Sequence, residues 1–215
     1  MSSTSRASSL LLAAIVGIVL YAALDALVQS LPPHYSPLSQ AESDLAVGPY
    51  GYIMAINFIN RGVLSLLFLL GLSRAVRPLP EYRRGYFLIG VWAVGSMVLA
   101  AFPTDVSGTP TVHGTIHLVV AVIAFLGGVF GELALSRSFG NDQSLAHVGR
   151  YASVIAVLGF VSLAALFLGP GIAPRAFSHV SGLVERVFIG LVLVWMLAVS
   201  STLLTTRTGA EARAL

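Results

Sequence analysis

Apolar runs of membrane-crossing length recur along this chain, at about 10–30, 50–73, 85–103, 112–136, 151–169 and 183–204. A helix needs about 20 mostly apolar residues to cross a hydrocarbon core of about 30 Å, so each run is a candidate span. Backbone polar groups inside lipid find no water, and unbroken runs of this length satisfy them as helices. The composition agrees: charged residues make up 10% of the 215-residue chain and hydrophobic ones 56%, against roughly 25% charged in ordinary soluble domains. So few charges cannot cover a soluble fold of this size. The expected fold is all-α, a polytopic bundle of six transmembrane helices forming one domain over residues 1–215. Arg6 followed by an apolar run and small residues at Ala22 and Ala23 has the look of a signal peptide. That run is longer than the roughly 7–15 residues of a signal core, so an uncleaved first helix is expected.

Residue usage excludes several chemistries. All twelve basic residues are arginine, which leaves no lysine for a Schiff base or a phosphate loop. There is no cysteine, so disulfides, thiolate metal sites and cysteine nucleophiles are absent together. The net charge of +3 comes from arginines spread along short loops, a pattern of membrane topology rather than of nucleic-acid binding. Arg6, Arg74, Arg77, Arg83, Arg84, Arg137, Arg150, Arg207 and Arg213 fall on one side of a six-span arrangement. The positive-inside rule makes that side, with both termini, cytoplasmic. The loops at about 31–49, 104–111 and 170–182 then face outward, with turn chemistry at Leu31-Pro32-Pro33, Pro103-Thr104-Asp105 and Gly169-Pro170-Gly171.

With that topology, nearly every polar side chain inside the spans lies toward the outer face. Tyr21, Asp25 and Gln29 share one face of the first span at i−4, i and i+4. Asn57, Asn60, Arg61 and Ser65 form a polar stripe on the second. Arg61 lies about eleven residues into its span, roughly 16 Å deep at 1.5 Å per residue. An arginine there costs at least ~2.5–3.5 kcal/mol unless paired or hydrated, so it must face the bundle interior and an acid. Asp25, Asp44, Asp105 and Glu185 are the candidate partners on the outward half. His113 and His117 stand one turn apart where the fourth span opens, and Glu185 and Arg186 open the sixth.

An i, i+4 histidine pair with a nearby carboxylate could supply three ligands to a divalent metal, here His113, His117 and Asp105, leaving a position for water. Such a centre would suit metal-assisted hydrolysis of a lipid ester, amide or phosphate. Alternatively, His113 caps its helix and His117 bonds Asp105 or Asn57. Haem is disfavoured, because two histidines on one helix face cannot bracket a porphyrin. Gly127, Gly128 and Gly131 read as a close-packing face. Glu132 reads as a snorkelling or loop-paired acid near the cytoplasmic end, and Trp92 and Trp195 as packing or interfacial residues.

The runs Ser43-Asp44-Leu45 with Gly48-Pro49-Tyr50, Phe102-Pro103-Thr104-Asp105, His113-Gly114 with His117, and Gly182 through Glu185-Arg186 to Trp195 resemble a family of small six-span prokaryotic membrane proteins, domain-of-unknown-function family 998. The likeness covers about residues 10–205. It implies the fold and the outward motif cluster, and no established activity. The family favours glutamine where Glu185 stands, which speaks against a catalytic role for Glu185.

The functional expectation is an outward-facing pocket in the cell membrane, on its extracytoplasmic side. Asp105, His113 and His117 would be its chemical centre, and Asp25, Asp44, Asn57, Arg61, Glu185 and Arg186 its binding groups. Its partners would be membrane lipids or an amphiphilic small molecule. The alternatives are a proton-coupled transporter working through Asp25 and Arg61, and a non-catalytic membrane scaffold.

Overall fold

The computed structural model of the chain describes residues 3–32, 34–76, 79–142 and 145–212. Pro33 of the first outward turn and Arg77 and Arg213 of the positive side lie outside the described residues, as does the side chain of Arg207. The described elements are all helical. They are α1 (Ser3–Gln29), a short 3-10 helix (Glu42–Ala46), α2 (Gly51–Ala75), α3 (Tyr82–Leu99), α4 (Val112–Asn141), α5 (Ala146–Ile172), α6 (Pro174–Phe177) and α7 (Ser181–Ala212).

Five of them, α1, α2, α4, α5 and α7, are long and apolar enough to cross a membrane. The count expected from the apolar runs was six. The difference is α3, which has only 18 residues and carries Arg83 and Arg84 in its first turn. It also stops at Leu99 rather than near 103, because the residue before Pro103 is sterically driven out of the helical region. The other helices run past the expected spans at one or both ends, as when α4 continues to Asn141.

The helices pack in a closed circuit: α1 on α2, α2 on α3, α3 on α4, α4 on α5, α5 on α7, and α7 back on α1. The outer surface is apolar, with Leu12, Val19, Phe87, Leu118 and Val154 more than half exposed. Trp92, Trp195, Phe68 and Phe188 fill the interior. An apolar exterior around an apolar core is the arrangement lipid solvent favours. The glycine face of α4 is structural: a Cβ at Gly127 would stand 2.8 Å from the carbonyl oxygen of Leu88, and one at Gly131 2.8 Å from Ile89. Both tryptophans are packing residues whose indole N–H groups are satisfied, Trp92 by Ser65 Oγ at 3.2 Å and Trp195 by Ser136 Oγ at 2.9 Å.

The segment between α1 and α2 positions the site. It folds back over one end of the bundle and docks on the start of α7. Leu183 N–H donates to the Leu38 carbonyl at 2.9 Å and Ser181 Oγ to the Ser39 carbonyl at 2.9 Å. Gly182 permits this approach, since a Cβ there would run into the backbone of Gln40.

Candidate ligand site at the loop-covered end of the bundle

Arg61 is the centre of the site. Its guanidinium carbon lies 4.9 Å from the ring centre of Trp92, 5.0 Å from Phe58 and 5.8 Å from Tyr21, an aromatic box that favours a cation. Nε donates to Ser96 Oγ at 3.0 Å, and Nη1 donates to the Tyr21 hydroxyl at 3.2 Å. Nη1 also lies 3.5 Å from Oε2 of Glu42, and the two side chains are 1% and 3% exposed. The Tyr21 hydroxyl donates to the other oxygen of Glu42. Nη2 makes no hydrogen bond among the described residues.

The acid facing Arg61 is therefore Glu42, and not Asp25, Asp44, Asp105 or Glu185. Glu42 comes from the 3-10 helix of the folded-back loop, and its own N–H donates to Glu185 Oε2 at 3.0 Å. Burial is the largest influence on the Glu42 carboxyl and outweighs the neighbouring guanidinium; with Asp25 and Glu185 also nearby, the group is pushed up to about 7. Burial likewise raises the carboxyl of Asp44 on the same loop.

The other expected binding groups divide. Glu185 and Asp44 stand with Arg61 and Glu42 around a cavity of about 310 Å³. Arg186 does not: Nη1 donates to the carbonyls of Pro37 at 3.0 Å, Gln40 at 2.9 Å and Gly182 at 3.1 Å, and Nη2 donates to the Tyr35 hydroxyl. It is the latch that holds the loop on α7. Asn57 and Asn60 fasten α2 to α1 through the carbonyls of Tyr21 and Gly17, at 3.1 and 3.0 Å. Asp25 accepts from Gln29 at 2.5 Å and forms no ion pair among the described residues.

The expected metal set does not assemble. Both Asp105 oxygens accept from Thr111, one from its N–H and one from its hydroxyl, each at 2.8 Å. Those bonds hold the exposed Asp105 carboxyl below its ordinary range. Thr111 in turn caps α4 by accepting from the Gly114 N–H at 3.0 Å. His113 is exposed, with its ring edge-on to Phe102 at 5.6 Å. His117 points inward, and its Nδ1 lies 2.6 Å from the Phe102 carbonyl. Neither Asp105 nor Asn57 is its partner. Among the described residues no three His, Asp or Glu side chains gather to hold a metal ion. The two histidines share a helix face as their spacing requires, yet Phe102 lies against both and gives each a different task.

His117 does line the cavity. A carbonyl only accepts, so Nδ1 carries the proton, and in the neutral ring Nε2 is an acceptor. The cavity has a polar end, formed by Glu42, Arg61, His117 and Glu185, and an apolar wall that includes Phe58, Ala121, Phe125 and Leu166. Leu118 on α4 and Phe167 on α5 also line it and are 64% and 43% exposed on the lipid-facing surface. The cavity thus reaches the outside of the bundle between α4 and α5.

A family model described as a protein of unknown function, DUF998, matches residues 15–202. The chain belongs to DUF998. The matched region of this DUF998 protein contains every residue that lines the cavity, Glu42, Arg61, His117 and Glu185 among them, and also Tyr21 and Ser96, which hold Arg61. No curated protein matches the chain, and neither does any solved structure.

Depth alone does not suggest Glu42 for Arg61, because the acid arrives from a loop. The signal available was the run Glu42-Ser43-Asp44, two acids set two apart where a short 3-10 helix turns about 120° per residue. Only one of them can face the guanidinium.

Proposed function

We propose that this multi-pass membrane protein holds an amphiphile, with its apolar chain in the cavity between α4 and α5 and its head against Glu42, Arg61 and Glu185. One observation carries the reading: a buried, hydrogen-bonded ion pair stands in the wall of a largely apolar cavity that is also lined by Leu118 and Phe167 from the exposed surface of the bundle. Arg61 Nη2 offers a donor, and Glu185 Oε1 and His117 Nε2 offer acceptors. A head group that both donates and accepts matches that set, as hydroxylated and zwitterionic heads do.

In this reading α3 is a sixth, short span of about 27 Å at 1.5 Å per residue, and both termini are cytoplasmic. Arg74, Arg83, Arg84, Arg137 and Arg150 support that orientation. The end of α2 packs near the start of α1, where Gly71 meets Leu11. The start of α3 meets the end of α4 through the Tyr82–Asp142 and Ser138–Glu81 hydrogen bonds, and the start of α5 meets it where Gly149 packs on Gly140. These arginines thus collect at the end away from Glu42, and the cavity lies on the extracytoplasmic side.

The test uses a lysophospholipid brominated in its acyl chain, which quenches tryptophan at short range. In a Trp195→Phe background, Trp92 beside Arg61 and Phe125 is the reporter. Saturable quenching that Ala121→Phe abolishes by filling the cavity supports the reading. Quenching that rises linearly and is the same in both proteins refutes it.

A second reading, proton-coupled transport, is favoured by one feature: a Glu42 carboxyl at about 7 beside Arg61 is a pair that protonation would open. Uptake into proteoliposomes that follows an imposed pH gradient and vanishes in Glu42→Gln would select it over simple binding.

A further inference from the structure

Glu132 is the second buried acid of the bundle, and it takes no part in the cavity. It lies on α4, 15 residues beyond His117, or about 22 Å along the helix. Its side chain is fully buried, and neither carboxyl oxygen has a hydrogen-bond partner among the described residues. It does not snorkel, and among the described residues no loop arginine pairs with it, which departs from what its place near the end of the fourth apolar run suggested. Across from it, α5 presents Gly159, where a Cβ would stand 3.4 Å from Oε2, 4.0 Å from Leu191 and 4.0 Å from Val129. The Gly159 position that meets the acid is otherwise bordered by leucine and valine.

Among the described residues the charged groups on the packed elements lie elsewhere. Arg137 on α4 itself, Arg83 and Arg84 on α3, and His147 and Arg150 on α5 are exposed. Tyr151 on α5 donates its hydroxyl to Thr202 at 2.7 Å, and Tyr82 on α3 donates to Asp142 at 3.4 Å. Glu185 and Arg186 of α7 belong to the opposite end, at the loop. Among the described residues the only ion pair is Glu42 with Arg61. An ionised carboxylate with no cation and no donor is far too costly inside hydrocarbon. Among the described residues no group of acids or histidines gathers around it to hold a metal ion.

We propose that Glu132 is a proton-binding site within the α4–α5–α7 core, neutral when the core is closed and able to give up its proton only when water reaches the Gly159 face. A neutral carboxyl without partners contributes nothing to packing that leucine would not do better. Its presence is therefore a capacity to take up and release a proton rather than a device of the fold.

The experiment is carbodiimide labelling of the whole protein in liposomes, read by peptide mass spectrometry. Only a protonated carboxyl adds to a carbodiimide. Dicyclohexylcarbodiimide, which partitions into lipid, is expected to modify Glu132, and a water-soluble carbodiimide is expected to leave it unmodified. Labelling should decline as the pH is raised and should be indifferent to sodium. Absence of labelling at Glu132 overturns the proposal, as does pH-independent labelling. Protection by sodium at constant pH overturns it in favour of a metal cation. Glu132→Leu guards against a purely structural role: a thermal midpoint equal to or above that of the parent supports the proposal, and a large fall overturns it. Quenching by the brominated lysophospholipid should be unchanged in Glu132→Leu, so this site and the amphiphile cavity succeed or fail separately.

Discussion

Nη1 of Arg61 stands 3.5 Å from Oε2 of Glu42, with both side chains all but sealed from solvent and Tyr21 bonded to each. A guanidinium in the middle of α2 is thus neutralised by an acid from a loop more than fifteen residues away in sequence. Breaking such a pair on one side leaves an uncompensated buried charge, which costs about 3–5 kcal/mol. Arg61→Met and Glu42→Leu should each lower stability by that order, measured by denaturation in detergent. The double variant Arg61→Met/Glu42→Leu should recover much of the loss, because neither charge then remains. Additive losses would mean that the two groups do not act as a pair.

The pair also sets a pH dependence. A Glu42 carboxyl held at about 7 in the folded chain, against an ordinary 4.5, keeps its proton while the unfolded chain releases it. Its contribution to stability is greatest below about 4.5 and is lost as the pH rises through about 7, to the order of 1–3 kcal/mol. Glu42→Gln should flatten the stability curve across that window. A parent curve that rises with pH there, and that Glu42→Gln leaves in place, would contradict this assignment.

Asp105 should behave as a structural acid. Both its oxygens are engaged by Thr111, and a Cβ at Gly114 would collide with its carboxylate. Asp105→Ala and Gly114→Ala should lower the thermal midpoint, whereas a strong chelator should leave the parent's midpoint unchanged. A chelator-induced fall that zinc restores would revive the His113–His117–Asp105 metal centre.

The loop that carries Glu42 depends on Gly182. Gly182→Ala drives a methyl group into the Gln40 backbone and should cost about 1–3 kcal/mol as an overpacking change, with weaker quenching of Trp92 by brominated lysophospholipid. Gly190 on the same helix has open space around it. Gly190→Ala should be neutral or stabilising by up to ~1 kcal/mol. Equal effects at the two glycines would show that docking of the loop is not what Gly182 secures.

The bundle was legible in the sequence because lipid imposes a length and an apolarity that few other environments demand, and five of the six apolar runs fall on helices long and apolar enough to cross a membrane. Arg61 was legible for the same reason: a charge that deep has few tolerable settings. Its partner was not, because no periodicity encodes how a turn-rich segment such as 31–49 folds back on a bundle. The stripe Asn57-Asn60-Arg61 illustrates the limit. Spacing places the three on one side of α2, but the amides bond to α1 carbonyls while the guanidinium reaches the cavity. The histidine pair is similar, since i, i+4 spacing fixes a shared face and says nothing of Phe102 lying against both rings.

Native mass spectrometry of the protein released from its own membranes tests most directly that the cavity beside Glu42 and Arg61 holds an amphiphile. The expected result is a retained lipid-sized adduct on the parent protein that disappears in Ala121→Phe while the variant stays folded. An adduct of unchanged mass and abundance in Ala121→Phe, or no adduct on the parent under conditions that preserve other membrane protein–lipid complexes, would contradict it.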